Sequence, residues 1–294
     1  MRRRNKALVV CGPTAAGKSE IADSLAGSVS GELGAWITTI LVDSMQVYRE
    51  LPRITNQARG RAAELAGMVS VAEEWTVARH KISAEAIIGS LPEDLPFVLD
   101  AGTGMYLNAL VLDVPLSPKV PHEVRAEAEK LAAAAQNPRR EARRLELELA
   151  GTSERGSIWS GRPRYDLAFV YLRPSRQELD RNILIRSSKI VRDGAEEATF
   201  LVESDLVPNP SVRGAIGVKE MLLHNFGDLS AEEAEEAIAA RTRRLARRQI
   251  RWFDKLARTL ESHRHAYDDP AQVLVLDNPD QNSALHLMHD IIGK

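Results

Sequence analysis

The chain has 294 residues, 44% of them hydrophobic and 27% charged, a balance that fits a globular protein with a buried core and excludes a disordered one. Its formal net charge of −2 argues against coating nucleic acid by bulk electrostatics, although local patches can still dock phosphates. No apolar run is long enough to span a bilayer, and the single cysteine, Cys11, excludes an internal disulfide and a cysteine-based zinc finger.

The basic start, Met1 to Asn5, runs at once into a strand-like segment. With no signal-peptide apolar region and no long amphipathic leader, a cytoplasmic location is expected. Lys6 to Cys11 reads as a buried strand, and a helix follows from about Lys18 to Ala26. Between them Gly12-Pro13-Thr14-Ala15-Ala16-Gly17-Lys18-Ser19 satisfies G-x-x-x-x-G-K-[ST] in full. Such a loop turns backbone N–H groups inward on phosphate oxygens, and the helix N-terminus adds positive dipole. Lys18 supplies a point charge and Ser19 a hydroxyl for Mg²⁺. The motif specifies a polyphosphate without saying which. A P-loop kinase or NTPase is one reading, and Asp43 is then the magnesium aspartate.

Trp36 to Val42 is a second β-rich run, ending at Asp43. Glu73 to Ser90 reads as a helix, and Pro96 to Asp100 as a third strand that ends in Ala101-Gly102-Thr103-Gly104. Strands alternating with helices predict a doubly wound parallel sheet with ligands beyond the strands' carboxyl ends. From about Asp113 to Arg164 the pattern turns to Ala/Glu/Arg-rich helix. Strand character resumes at Tyr165 to Leu172, two helical stretches follow (Ser175 to Glu203 and Ser230 to about Ser262), and Val273 to Leu276 is a candidate last strand. The division expected is a P-loop α/β core, 1–112 and 165–294, with a helical insertion at 113–164.

Asp43-Ser44-Met45-Gln46-Val47-Tyr48 resembles the signature that follows the P-loop in the tRNA dimethylallyltransferase (isopentenyltransferase) family. Further segments match in order from about residue 8 to 254: Ala101 to Leu107, Asn137-Pro138-Arg139-Arg140 through Glu146, Arg164-Tyr165-Asp166, Ala215 to Glu220, and Arg247 to Phe253. The resemblance implies a P-loop NTPase-like fold and transfer of a dimethylallyl group from dimethylallyl diphosphate to an adenine amine of tRNA, with Mg²⁺. It implies Asp43 as the general base and Lys18 as stabiliser of the leaving diphosphate, with Lys219 near that group. Thr103 is implied to position the adenine, with Ser44, Met45 and Gln46 around an extruded base. Arg139, Arg140, Arg143, Arg244, Arg248 and Gln249 are implied on the tRNA side; a monomer is expected.

The chain departs from the family pattern at Ala101 (usually Gly), Val218 (usually Tyr), Arg251 (often Thr) and Gly67 to Ser70, where a Pro-His-His-Leu segment is usual. A relative acting on free AMP or ADP, a small-molecule kinase and a catalytically weak RNA-binding relative remain as rivals. Plainer readings stand beside the sharp ones. Arginine-rich helices are ordinarily solvated or ion-paired, and Trp252 and Phe253 are ordinarily core. His263, His265, His286 and His289 lack companions for a metal site, and Cys11 reads as a small buried side chain.

Overall fold

The computed structural model describes residues 6–114, 116, 120–151, 157–267 and 271–277. The side chains of Arg139 and His265, and all of His286 and His289, lie outside the described set. In chain order the elements are β1 (Lys6–Cys11), α1 (Lys18–Leu33), β2 (Thr39–Val42), α2 (Val77–Ser90), β3 (Phe97–Ala101), α3 (Gly104–Val111), α4 (His122–Ala132) and α5 (Pro138–Leu149). There follow β4 (Asp166–Leu172), α6 (Arg176–Asp193), α7 (Ala195–Glu203), α8 (Pro210–Arg213), α9 (Val218–Asn225), α10 (Ala231–Tyr267) and β5 (Gln272–Leu276).

The described strands form one sheet in the order β2-β3-β1-β4-β5, every pair parallel. A parallel sheet must be covered on both faces, and β1 shows how the sequence meets that demand. Ala7, Val9 and Cys11 enter one hydrophobic cluster while Leu8 and Val10 enter another with Ile21, Leu25 and Val29 of α1. The first cluster also takes in Phe253, Leu256 and Leu260, so α10 lies over that face of the sheet. Order reverses at β1, whose neighbours are β3 on one side and β4 on the other, and this switch point is where doubly wound sheets bind ligands.

Several boundaries differ from those expected. Helix α2 starts at Val77 because the Thr76 hydroxyl accepts from Arg79 N–H at 3.2 Å and caps it. Trp36 lies outside β2 and is 62% exposed, with the Arg61 guanidinium 4.1 Å above its ring. The helical stretch after β4 is two helices, broken at Gly194. There a side chain would run into the Ile190 carbonyl oxygen at 2.6 Å and into Ile54. Helix α1 runs on to Leu33, and α10 to Tyr267.

Helices α4 and α5 form a hairpin between α3 and β4, packed against each other. The chain leaves and re-enters the core side by side: Asp113 N donates to Arg162 O at 2.8 Å, and Arg164 N to Val111 O at 2.9 Å.

Candidate active site

Register builds the site. Cys11 pairs with Ala101, and Val42 pairs with the same Ala101, so the carboxyl ends of β1, β3 and β2 stop at one level. The residues that follow are therefore neighbours: the P-loop, Gly102-Thr103 and Asp43-Ser44. The N–H groups of Gly102 and Thr103 both donate to Val42 O at 3.1 Å, which locks the second of these loops to the third.

Asp43 is held by its own turn. Its Oδ1 accepts from Met45 N–H at 2.8 Å and from Gln46 N–H at 3.1 Å, the local bonding that short acidic side chains favour. Oδ2 is left to face the Thr103 hydroxyl at 3.5 Å. Thr103 Oγ1 in turn accepts from Ser44 N–H at 3.1 Å. Only glycine fits at 102, because a Cβ there would lie 2.5 Å from Asp43 Oδ2. Gln46 turns its amide to the carbonyl oxygens of Thr55 and Asn56.

Helix α1 opens at Lys18 behind Gly17, which has φ 79° and no side chain to cap the first turn, so its N–H groups are left for an anion. The Lys18 ammonium donates to Pro13 O at 2.8 Å. Burial pushes its pKa down, while Asp100 and, to a lesser degree, Asp43 draw it back up. Cys11 is fully buried and burial raises its thiol pKa well above the ordinary value, so it is the inert side chain expected.

Charged residues of this site escaped the sequence reading. Asp100, the last acid of β3 and only 2% exposed, accepts from the Ser19 hydroxyl at 2.8 Å and from Arg59 Nη1 at 3.1 Å, both at Oδ2. Arg59 is bound on its other side by Asp23 of α1 at 2.6 Å. The aspartate against the P-loop serine is thus Asp100, the place that the kinase reading gave to Asp43. An acid at the carboxyl end of a parallel strand was the available signal. Arg186 of α6 is another. Its Nη2 donates to Thr55 O at 3.4 Å; burial lowers its pKa and the Asp43 carboxylate opposes that shift. Nothing local in the sequence marks it out.

The remaining candidates divide. Lys219 is exposed on α9, and among the described residues no bond joins it to the P-loop. On α5, Arg143 pairs with Glu146, and Arg144 with Glu141 and Glu148, while Arg140 is exposed. On α10, Arg241 is tied to Glu220 at 2.6 Å and Arg243 to Asp180 at 3.3 Å. Arg244, Arg247, Arg248 and Arg251 are exposed. Gln249 faces inward: its Oε1 accepts from Thr14 N–H at 2.9 Å and its Nε2 donates to Gly102 O at 2.7 Å. Phe253 is core as expected. Trp252 is half-buried, its ring 4.8 Å from that of Trp159 and its N–H given to Asn108 at 3.0 Å. Among the described residues no group of three or more His, Cys, Asp or Glu side chains is placed to hold a metal, and no helix is long and apolar enough to cross a membrane.

A P-loop at the switch point of a parallel sheet, with a carboxylate from the neighbouring strand on its serine, defines a phosphate-binding α/β protein of the P-loop NTPase-like class. Residues 46–256 match the family described as IPP transferase. The tRNA dimethylallyltransferase of Rubrobacter xylanophilus is 56% identical over 294 residues, covering 99% of both chains. That of Rickettsia massiliae is 28% identical over 85% of this chain and 77% of its own. Two solved structures share the fold. A tRNA isopentenylpyrophosphate transferase from Bacillus halodurans aligns with a TM-score of 0.69 at 24% identity, covering 99% of this chain and 96% of that one. A eukaryotic dimethylallyltransferase described as acting on tRNA aligns at 0.72 and 21% identity, covering 98% and 80%. The chain belongs to the IPP transferase family.

Proposed function

We propose that the protein is a tRNA dimethylallyltransferase, which moves the dimethylallyl group of dimethylallyl diphosphate to the N6 amine of the adenine next to the anticodon, in the cytoplasm. The observation that carries this reading is Asp43: one oxygen is saturated by its own turn and the other faces Thr103 across the mouth of a P-loop. A phosphate site alone serves many reactions. A carboxylate beside it whose second oxygen is met by a side-chain hydroxyl rather than by backbone N–H groups suits a reaction that must remove a proton from a weak amine nucleophile.

In this scheme the P-loop N–H groups, Lys18 and Arg186 hold the diphosphate and stabilise its charge as it leaves. Asp43 Oδ2 takes the N6 proton while nitrogen bonds to the allylic carbon and the carbon–oxygen bond to diphosphate breaks. Thr103 aligns the adenine edge against Asp43. The adenine leaves its stack to reach this depth. The donor set fits Mg²⁺, since Ser19 Oγ and Asp100 Oδ2, 2.8 Å apart, are hard oxygen ligands beside the phosphate cradle. Once bound there with the diphosphate, the ion supplies charge neutralisation for the leaving group.

The test is mass spectrometry of nucleosides from tRNA incubated with the protein, dimethylallyl diphosphate and Mg²⁺. A dimethylallyl mass gain on adenosine next to the anticodon is the expected result. Transfer only to free AMP or ADP would make the acceptor a nucleotide, and turnover of ATP without transfer would move the protein to the kinases.

A further inference from the structure

We infer that Gln249 is a positioning residue that fixes the P-loop and the Gly102-Thr103 loop relative to each other, and so aligns the prenyl donor with the acceptor amine. The inference rests on the transfer reaction proposed above and adds to it a residue that does not touch the reacting atoms.

A primary amide has one acceptor oxygen and one donor nitrogen, and Gln249 uses both on backbone groups of the two loops. Oε1 takes the Thr14 N–H at 2.9 Å, and Nε2 gives a proton to Gly102 O at 2.7 Å. These two loops follow β1 and β3 and carry the groups for different substrates, Lys18 and Ser19 for the diphosphate and Thr103 for the adenine. Sheet register fixes the strand ends but not the loops beyond them. The amide supplies the cross-link at the level of the chemistry.

The P-loop needs such a hold. Ala15, the residue after Thr14, has φ 65°, a conformation that a residue with a Cβ keeps only when its surroundings impose it. Two helices do so. Asn182 of α6 donates to Ala15 O at 3.2 Å, and Ala15, like Ile250 of α10, packs against a small buried cluster containing Leu179, Ile183 and Ala246. Gln249 supplies the hold on the other side. The two clamps differ in one respect that an experiment can use. Among the described residues Asn182 hydrogen-bonds the P-loop but not the Gly102-Thr103 loop, whereas Gln249 bonds both.

Gln249→Met keeps the volume and removes both bonds. It should raise the Kd of inorganic diphosphate, measured by calorimetry with Mg²⁺ and no RNA, and should lower kcat by roughly 10–10²-fold through misalignment of the two loops. Affinity for tRNA and the melting temperature should stay close to those of the unaltered protein. Asn182→Leu should raise the diphosphate Kd but leave kcat at saturating donor nearly unchanged. Should Gln249→Met fail to fold, Gln249→Asn, polar and one methylene too short to span the gap, carries the same readouts. The inference is overturned if diphosphate affinity and kcat stay as they were, or if only tRNA affinity falls, which would make Gln249 an RNA ligand. It is overturned equally if Asn182→Leu and the Gln249 variants lower kcat alike. The RNA-free diphosphate measurement stands whatever the acceptor proves to be, so its failure is distinct from failure of the transfer reading.

Discussion

At the scale of single residues, the site sets two aspartates a short distance apart with different partners, and the partners separate their roles. Asp43 has an oxygen free of backbone donors; Asp100 has an oxygen that the Ser19 hydroxyl and Arg59 share. Asp43→Asn keeps the shape and the turn but cannot take a proton, so kcat should fall by roughly 10²–10⁴-fold. The KM for tRNA should move little, since the lost interaction belongs to the transition state. Asp100→Asn should act differently: it should weaken Mg²⁺-dependent diphosphate binding, and raised Mg²⁺ should restore most of the rate. Measuring kcat and both KM values for the two variants across a Mg²⁺ series checks the division. Rescue of Asp43→Asn by Mg²⁺ would exchange the roles. Asp43 was legible because its hexapeptide is contiguous. Asp100 and Arg59 lie 41 positions apart, and folding alone shows that they meet.

Among the elements, α2 carries an unusual cost. His80 is fully buried, neither ring nitrogen has a hydrogen-bond partner, and its ring sits 6.0 Å from that of Trp75 and 5.1 Å from that of Tyr106. Burial lowers its pKa from 6.5 to about 4. The sign follows from linkage. The folded state holds this histidine neutral, so its contribution to stability is full above pH 6.5 and is lost as pH falls through about 4. At 1.36 kcal/mol per unit, the loss is about 3 kcal/mol. His80→Phe, of similar shape, should remove that part of the acid slope in urea unfolding between pH 7 and 4 while leaving the carboxylate part. An unchanged slope would mean that His80 finds a partner when it is protonated.

Helix α10 is the other element that carries a prediction. Its arginines look alike in sequence, but Arg241 and Arg243 are ion-paired with Glu220 and Asp180, whereas Arg244 and Arg248 are exposed. Arg244→Gln and Arg248→Gln should each flatten the log–log salt dependence of tRNA binding by about 0.7–0.9 per lost phosphate contact. Arg241→Gln should lower the melting temperature and leave that slope in place. Filter binding over a salt series distinguishes these outcomes, and equal slopes throughout would return α10 to the solvated reading. Helical spacing located this helix correctly. It gave no warning of the break between α6 and α7 at Gly194, because the helical pattern runs on through that point and one of the two groups that crowd the glycine, Ile54, is far away in the chain.

For the whole molecule, the parallel order and the site at the carboxyl ends of the strands were legible from alternating β and α patterns and the P-loop. The inward turn of Gln249 was not, since its partners Thr14 and Gly102 lie 235 and 147 positions away. Arg186 stayed hidden for the same reason. The α4–α5 hairpin poses the remaining question at this scale, whether it is a separate RNA-holding unit. Its base is narrow: the chain leaves and returns through backbone bonds between residues 111–113 and 162–164. The ion pair of Arg125 with Glu74, at 3.5 Å between half-exposed side chains, is worth little. The apolar contacts of α4 and α5 include Ala128, Ala132, Ala142 and Leu147, all buried, and these two helices pack mainly on each other. Replacing residues 117–156 by a flexible Gly- and Ser-rich linker should therefore leave the core's own packing intact. It also leaves Trp159 in place against Trp252. The shortened protein should unfold in one cooperative transition and bind inorganic diphosphate with Mg²⁺ as tightly as the full chain does. Its affinity for tRNA, and with it the transfer rate, should fall. Loss of diphosphate binding or of the cooperative transition would show that the hairpin supports the core, and the division at residues 113–164 would be wrong.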